Sequence, residues 1–278
     1  VTSELLKRLR EETFNLIRKW QGIGTDLYVP LDSCFLHSNA STRFDLITSV
    51  HEIFLRSHDY KILLLTGNSG SGKTLFSQKL ARKIWVHYES DCNNYPANDF
   101  IPLWIPLLSL DHPEKNLLRK HLKYNLNLLP EERRQLLDSQ SPLLLILDGY
   151  DELNINSNLF NDNDFSQLPG KVIFTCRDEM LKADYQQNFI SIERTQQLLE
   201  YRLLPFDMEK EEVYLRKYID HHKPNWDFDT YQKHLQQIPE LDQLITNPFI
   251  LSIVLQNLSS LVEKYADDLG LNRSAFIA

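Results

Sequence analysis

A glycine-rich loop that closes on a lysine–threonine pair is built to hold phosphate. Residues 62–85 read ILLLTGNSGSGKTLFSQKLARKIW and contain Gly67-x-x-x-x-Gly72-Lys73-Thr74, the spacing of a phosphate-binding loop. Gly67, Gly70 and Gly72 free the backbone to turn its N–H groups inward around phosphate oxygens. A helix starting near Lys73 aims its positive end at the same point. Lys73 is expected to reach the β- and γ-phosphates, and the Thr74 hydroxyl to ligate Mg²⁺. The candidate nucleotide-binding segment is Gly67, Asn68, Ser69, Gly70, Ser71, Gly72, Lys73 and Thr74, with Leu75 just beyond.

Three more stretches carry chemistry. In LLLILDGYDE a buried strand delivers Asp148 at its C-terminal end, where α/β sheets bind ligands. Asp148 is placed to hold Mg²⁺ directly or through water. Asp151 and Glu152 follow at once, and a carboxylate there can orient or deprotonate an attacking water. The same acids would also suit a turn capping a helix. In KVIFTCRDE another strand presents Arg177, either to read and stabilise γ-phosphate charge or to pair on the surface with Asp178 or Glu179. In Thr246-Asn247-Pro248, Asn is a good N-cap and Pro a good first helical residue.

The elements that must position these residues follow from periodicity. Residues 3–20 and 42–57 place apolar residues at helical spacing. Residues 27–31 look extended. Buried strands are expected at 61–66, 143–147 and 171–175, and a short fifth strand at 189–192. The strand at 100–107 contains Pro102 and Pro106, which suggests an edge or irregular strand. Helices are expected at 73–85, 113–124 and 130–139, with polar loops at 88–99 and 154–167. Strands alternating with helices indicate an α/β domain with a mostly parallel sheet. With the phosphate-loop motif on its first confident strand, the expected fold class is a P-loop NTPase, a three-layer α/β/α domain with a mostly parallel five-stranded sheet. From about Pro205 the pattern becomes all-helical, with helices at 207–222, 228–237, 240–246 and 248–264. The expected organisation is an N-terminal helix and linker (1–35), a nucleotide-binding domain (36–204) and a small helical domain (205–278).

With 278 residues, 42% hydrophobic and 24% charged, the chain has the make-up of a globular protein. Its net charge of −8 argues against non-specific nucleic-acid binding, so no specific nucleic acid is expected as a partner. Cys34, Cys92 and Cys176 lie far apart, with neither metal-ligand spacing nor an even-numbered framework, which suits reduced thiols in a cytoplasmic setting. No stretch reaches the roughly 18–20 apolar residues of a membrane span. The chain starts without Met and stops soon after LGLNRSAFIA, as expected of a piece of something longer.

Taken in order, these elements resemble the NACHT family of STAND-type signalling ATPases, the nucleotide-binding modules of NOD-like receptors and their relatives. GNSGSGKT is similar to its Walker A, and LLLILDGYDEL to its extended Walker B. KVIFTCRDE resembles its sensor 1 strand, YRLLPFDMEKEEVYLRKYI its entry to the helical domain, and ITNPFILSIVL the helix start whose proline lies against adenine. The resemblance covers about residues 25–265. It implies that Lys73 and Thr74 hold phosphate and Mg²⁺, that Asp148 is the magnesium acid, and that Asp151 and Glu152 surround the hydrolytic water. It also implies that Arg177 reads the γ-phosphate, that Pro248 closes the base pocket, and that Tyr28 to Pro30 passes the adenine. Cys176 departs from the pattern, since small hydroxyl residues are commoner there. The chain also ends where the family's winged-helix domain would begin, with its histidine for the β-phosphate of ADP.

The expected cofactors are therefore ATP/ADP and Mg²⁺. The function expected first is a nucleotide switch with slow hydrolysis, controlling domain arrangement and self-association or a protein partner through flanking domains. The alternatives are a fast ATPase or phosphotransferase, and a scaffold that binds ATP without hydrolysing it.

Overall fold

The structure is a computed structural model that describes residues 1–21, 27–37, 42–89, 100–153, 157–190 and 198–265. Cys92 and most of the expected loop at 88–99 lie outside these residues, as do 154–156, 191–192 and the end of the chain from 266. By internal contacts the chain forms two compact units. The first comprises Val1–Gly22, Leu31–Ser69 and Lys73–Leu203, and the second Ile23–Pro30, Gly70–Gly72 and Leu204–Ala278.

The first unit opens with α1 (Ser3–Trp20), whose Leu5, Leu9, Leu16 and Ile17 turn inward. Thr2 caps its first turn. Two short strands follow, β1 (Asp32–Phe35) and β2 (Phe44–Asp45), then α2 (Leu46–Ser49), which widens into a π-helical turn at Val50–Leu55. The strongly apolar β3 (Ile62–Thr66) leads through the glycine loop into α3 (Lys73–Glu89). Next come β4 (Ile101–Pro106), α4 (Leu117–Lys120, continuing as a π turn to Asn125) and α5 (Pro130–Asp138). The unit ends with β5 (Leu143–Asp148), α6 (Leu159–Asp162), β6 (Gly170–Cys176) and β7 (Leu198–Leu203).

The sheet order is β2-β1-β7-β3-β6-β5-β4. Strands β7, β3, β6, β5 and β4 run parallel, and β1 and β2 extend the β7 side antiparallel. The five parallel strands of the expected α/β/α fold are thus present, with two antiparallel strands added. β3, β4 and β5 are buried at every position, as they must be with helices on both faces. β4 sits at the edge of the sheet, where Pro102 and Pro106 cost no ladder hydrogen bond on the open side. Lys171 is buried on β6, and its ammonium donates to Phe54 O, Ser57 O and Tyr60 O at 2.7, 2.5 and 2.6 Å. It closes the carbonyl end of the α2 turn against the sheet.

Five expectations shift. The fifth parallel strand is 198–203, not 189–192. In LLEYRL only Leu199, Tyr201 and Leu203 turn inward, so its apolar signal alternates. Phe189 instead packs edge-on against Phe174 and tilted against Tyr150, with centroids 5.1 and 4.9 Å away. The extended stretch at 27–31 gives way to β1 from Asp32, and Phe44 and Asp45 of the expected helix at 42–57 pair with β1. The helix expected from 113 starts at Leu117, because Asn116 is left-handed (φ 55°). The helix expected at 240–246 is a single 3₁₀ turn, Pro239–Leu241, followed by turns.

The second unit is helical, with α7 (Met208–His222), α8 (Phe228–Gln236) and α9 (Pro248–Tyr265). Asp207 and Asp227 cap α7 and α8. Asn247 Oδ1 accepts from Phe249 N and Ile250 N at 3.0 and 3.3 Å, so Asn247 caps α9 and Pro248 is its first residue.

Candidate functional site

The phosphate loop leaves β3 at Thr66, and its backbone turns at Gly70 (φ 76°) and Gly72 (φ 98°), angles that side chains disfavour. Lys73 Nζ donates to Gly67 O at 2.6 Å and Asn68 O at 3.0 Å, which holds the ammonium inside the curve of its own loop. Burial lowers its pKa, and the nearby charges of Asp151 and Asp178 oppose that shift. Asn68 and Ser69 are exposed, whereas Ser71 and Leu75 are half-buried. In the second unit, a β-carbon on Gly70 would stand 2.7 Å from Asn247 Oδ1 and 2.9 Å from Phe249 Cβ. Tyr28 belongs to the same unit, and its carbonyl accepts from Lys217 Nζ at 2.6 Å.

Asp148 closes β5 and is 6% exposed. Its Oδ1 accepts from Thr175 Oγ1 at 2.8 Å and from Ser77 Oγ at 3.1 Å, and Thr74 also bonds the carboxylate. Burial raises its pKa against the pull of those three donors. A cation beside it would reverse that cost. The donors brought together are a threonine hydroxyl and one carboxylate, hard oxygens that suit Mg²⁺. Among the described residues no group of three or more His, Cys, Asp or Glu could cage a metal. This fits Mg²⁺, which takes one or two carboxylates plus phosphate oxygens and water.

Gly149 has φ 85°, and a β-carbon there would lie 2.9 Å from Glu152 Oε2. Its N–H donates to Thr175 Oγ1 at 2.9 Å, and a 3₁₀ turn over Tyr150–Leu153 then places the two following acids. The two acids differ sharply. Asp151, its side chain 5% exposed, takes Arg177 Nε at 2.9 Å and Arg177 N at 3.1 Å, one on each oxygen. Glu152 is half-exposed, with Arg177 Nη2 3.9 Å away. Burial raises its pKa, helped by the charges of Asp151 and Asp148. It opens onto a cavity of about 500 Å³ shared with Leu108, His112 and Leu153. Asp151 is therefore held by Arg177 on both oxygens, whereas Glu152 stays partly exposed with its proton affinity raised.

Arg177 pairs with neither Asp178 nor Glu179, the surface partners open to it from sequence; Asp178 faces Arg202 at 3.5 Å. Cys176 is buried and its thiol is pushed up to about 12, so it is inert packing beside the arginine. Sequence reasoning missed Ser77, Thr175 and Trp104. The available signals were a serine on the helical face of Thr74 and a lone threonine closing an apolar strand.

The model of the NACHT domain matches residues 61–222, more than half of the chain. Comparison with curated proteins gave no match. Among solved structures, domain III of the Thermotoga maritima replication initiation protein DnaA is similar at 19% identity and TM-score 0.38, over 65% of this chain and 69% of that one. The Thermotoga maritima RuvB Holliday junction branch migration motor is similar at 13% identity and TM-score 0.42, over 78% of this chain and 60% of that one. A point mutant of the same RuvB has 12% identity and TM-score 0.43, with the same shares of the two chains covered. The chain is a nucleotide-binding P-loop module, and it belongs to the NACHT domain family.

Proposed function

We propose that the chain is an ATP-dependent switch that hydrolyses its nucleotide slowly with Mg²⁺. Lys73 and the loop from Gly67 to Leu75 hold the phosphates, Thr74 and Asp148 hold the metal, and Pro248 borders the base. Bound Mg²⁺ would screen phosphate charge and polarise the γ-phosphate. Glu152 takes the proton of the attacking water, and Arg177 stabilises charge on the γ-phosphate. The observation that carries slow turnover is the double grip of Arg177 on Asp151. With Nε held by a buried carboxylate and the backbone N–H on its other oxygen, part of the arginine charge is already offset before phosphate arrives, which weakens the help it gives the γ-phosphate.

In this reading the segment 36–204 binds nucleotide, 205–278 responds as a helical domain, and 1–35 supplies the N-terminal helix and linker. ATP and ADP favour different arrangements, and that difference in affinity controls self-association or a protein partner. The buried, unbridged Cys34 and Cys176 support a cytoplasmic setting. Among the described residues no helix is long and apolar enough to cross a membrane.

Steady-state ATP turnover by purified protein tests this. A rate well below about 1 s⁻¹, abolished by Glu152→Gln, is expected, and a rate near the enzyme median of about 10 s⁻¹ would point to a working ATPase or phosphotransferase. Tight ATP binding with no turnover would point to a scaffold.

A further inference from the structure

Ser77 lies one helical turn past Thr74 on α3 and is 1% exposed. Its Oγ receives the indole N–H of Trp104, a fully buried β4 side chain, at 2.9 Å. An indole can only donate, so one Oγ lone pair is taken, while the hydroxyl has a single proton to give. Two acceptors lie within reach of that proton: Thr74 O at 2.8 Å and Asp148 Oδ1 at 3.1 Å. Thr175 is constrained in the same way. Gly149 N occupies its Oγ1, so the Thr175 proton goes to Asp148 Oδ1. Both hydroxyls thus lie within hydrogen-bond reach of one oxygen of the carboxylate, from a helix and from a neighbouring strand.

From this geometry we propose that Trp104 and Ser77 are positioning residues for the metal acid. Together with Thr175 they fix the carboxylate plane through Oδ1, so that the rest of the carboxylate faces Thr74, the other residue expected to hold the cation. The Ser77 proton is shared between Thr74 O at 2.8 Å and Oδ1 at 3.1 Å, and a cation that took up the charge of Asp148 would bias it further to Thr74 O. The hydrogen bond from Trp104 then meets a differently polarised oxygen, and its emission reports the metal. This rests on Asp148 being the metal acid. It adds a relay that reaches the site from the edge strand β4 through Ser77, by a residue outside the proposed metal and phosphate contacts. Outer partners of this kind typically change metal affinity by 10- to 100-fold.

The test is calorimetric titration of a non-hydrolysable ATP analogue, once in EDTA and once in saturating Mg²⁺. The ratio of the two affinities isolates the metal's contribution. Ser77→Ala is expected to lower that ratio about tenfold, and Ser77→Thr, which keeps the hydroxyl, to restore it. Trp104→Phe should lower it in the same direction, and the double variant Ser77→Ala with Trp104→Phe should fall no further than Ser77→Ala alone. In wild-type protein Mg²⁺ should shift tryptophan emission of the nucleotide complex, and Ser77→Ala should remove that shift. This arm stands even if Trp104→Phe does not fold. An unchanged ratio in Ser77→Ala overturns the relay, and so do losses that simply add in the double variant. Wild-type protein that binds no nucleotide in either buffer overturns the site itself, a different failure.

Discussion

Asp151 and Glu152 are adjacent in sequence and nearly the same chemically, yet Arg177 engages them differently. Asp151 gives both oxygens to the arginine, whereas Glu152 stands half-exposed with its proton affinity raised. The two isosteric amides should therefore differ. Glu152→Gln is expected to lower kcat by at least about 100-fold with ATP binding retained, as for loss of a general base. Asp151→Asn keeps an acceptor but drops the charge that restrains Arg177. Its turnover should fall less than that of Glu152→Gln, and an equal fall measured in parallel would return the base to the pair. Lys73→Ala should abolish nucleotide binding; micromolar affinity retained in a titration would remove the loop from the site. At this scale the gathering of Lys73, Thr74 and Asp148 at one end of the sheet was legible, because the loop spacing and the strand that ends in an acid fix where they fall. The split between the two acids was not, since it depends on where a side chain 26 positions along the chain points.

Elements were legible where both faces are covered, because a strand such as LLLIL is apolar at every position. β7 was misplaced for the opposite reason, being half polar, while the apolar Phe189 serves an aromatic cluster rather than a strand. The sheet also makes demands that no periodicity reveals. Gly170 begins β6 at φ 119°, and a β-carbon there would lie 1.9 Å from Leu143 O, its cross-strand neighbour's backbone. Gly170→Ala must break that pairing or move β5, the strand that carries Asp148. A loss of at least about 3 kcal/mol is expected in chemical denaturation, from strain and backbone clash together.

For the whole molecule, pH and nucleotide act as separate levers on stability. His121 is fully buried, with Asn125 Nδ2 3.1 Å from its Nδ1, and burial pushes its pKa from 6.5 to about 3. Between those values the unfolded chain holds a proton that the folded chain refuses, so stability falls as pH drops through that window. The share of this one group is about 2 kcal/mol between pH 7 and pH 5. Urea unfolding at both pH values should show the loss, and His121→Gln should flatten the dependence even as it lowers stability at pH 7. Nucleotide acts in the other direction. ATP with Mg²⁺ at 100 times its Kd should stabilise by about 2.7 kcal/mol, seen as a raised Tm that Lys73→Ala abolishes.

The position of β6 sets a length. The strand feeding the phosphate loop and the strand ending in Asp148 are never neighbours, because β6 lies between them. Their axes are therefore two strand spacings apart, about 9.5 Å, an interval fixed by backbone hydrogen bonding rather than by any side chain. The carboxylate and the start of the loop act as the two jaws of a gauge whose opening side-chain mutation cannot easily reset. On the proposed reading, the interval between the phosphate loop and the metal acid is thus set first by the order of the strands, before any residue of the site is chosen.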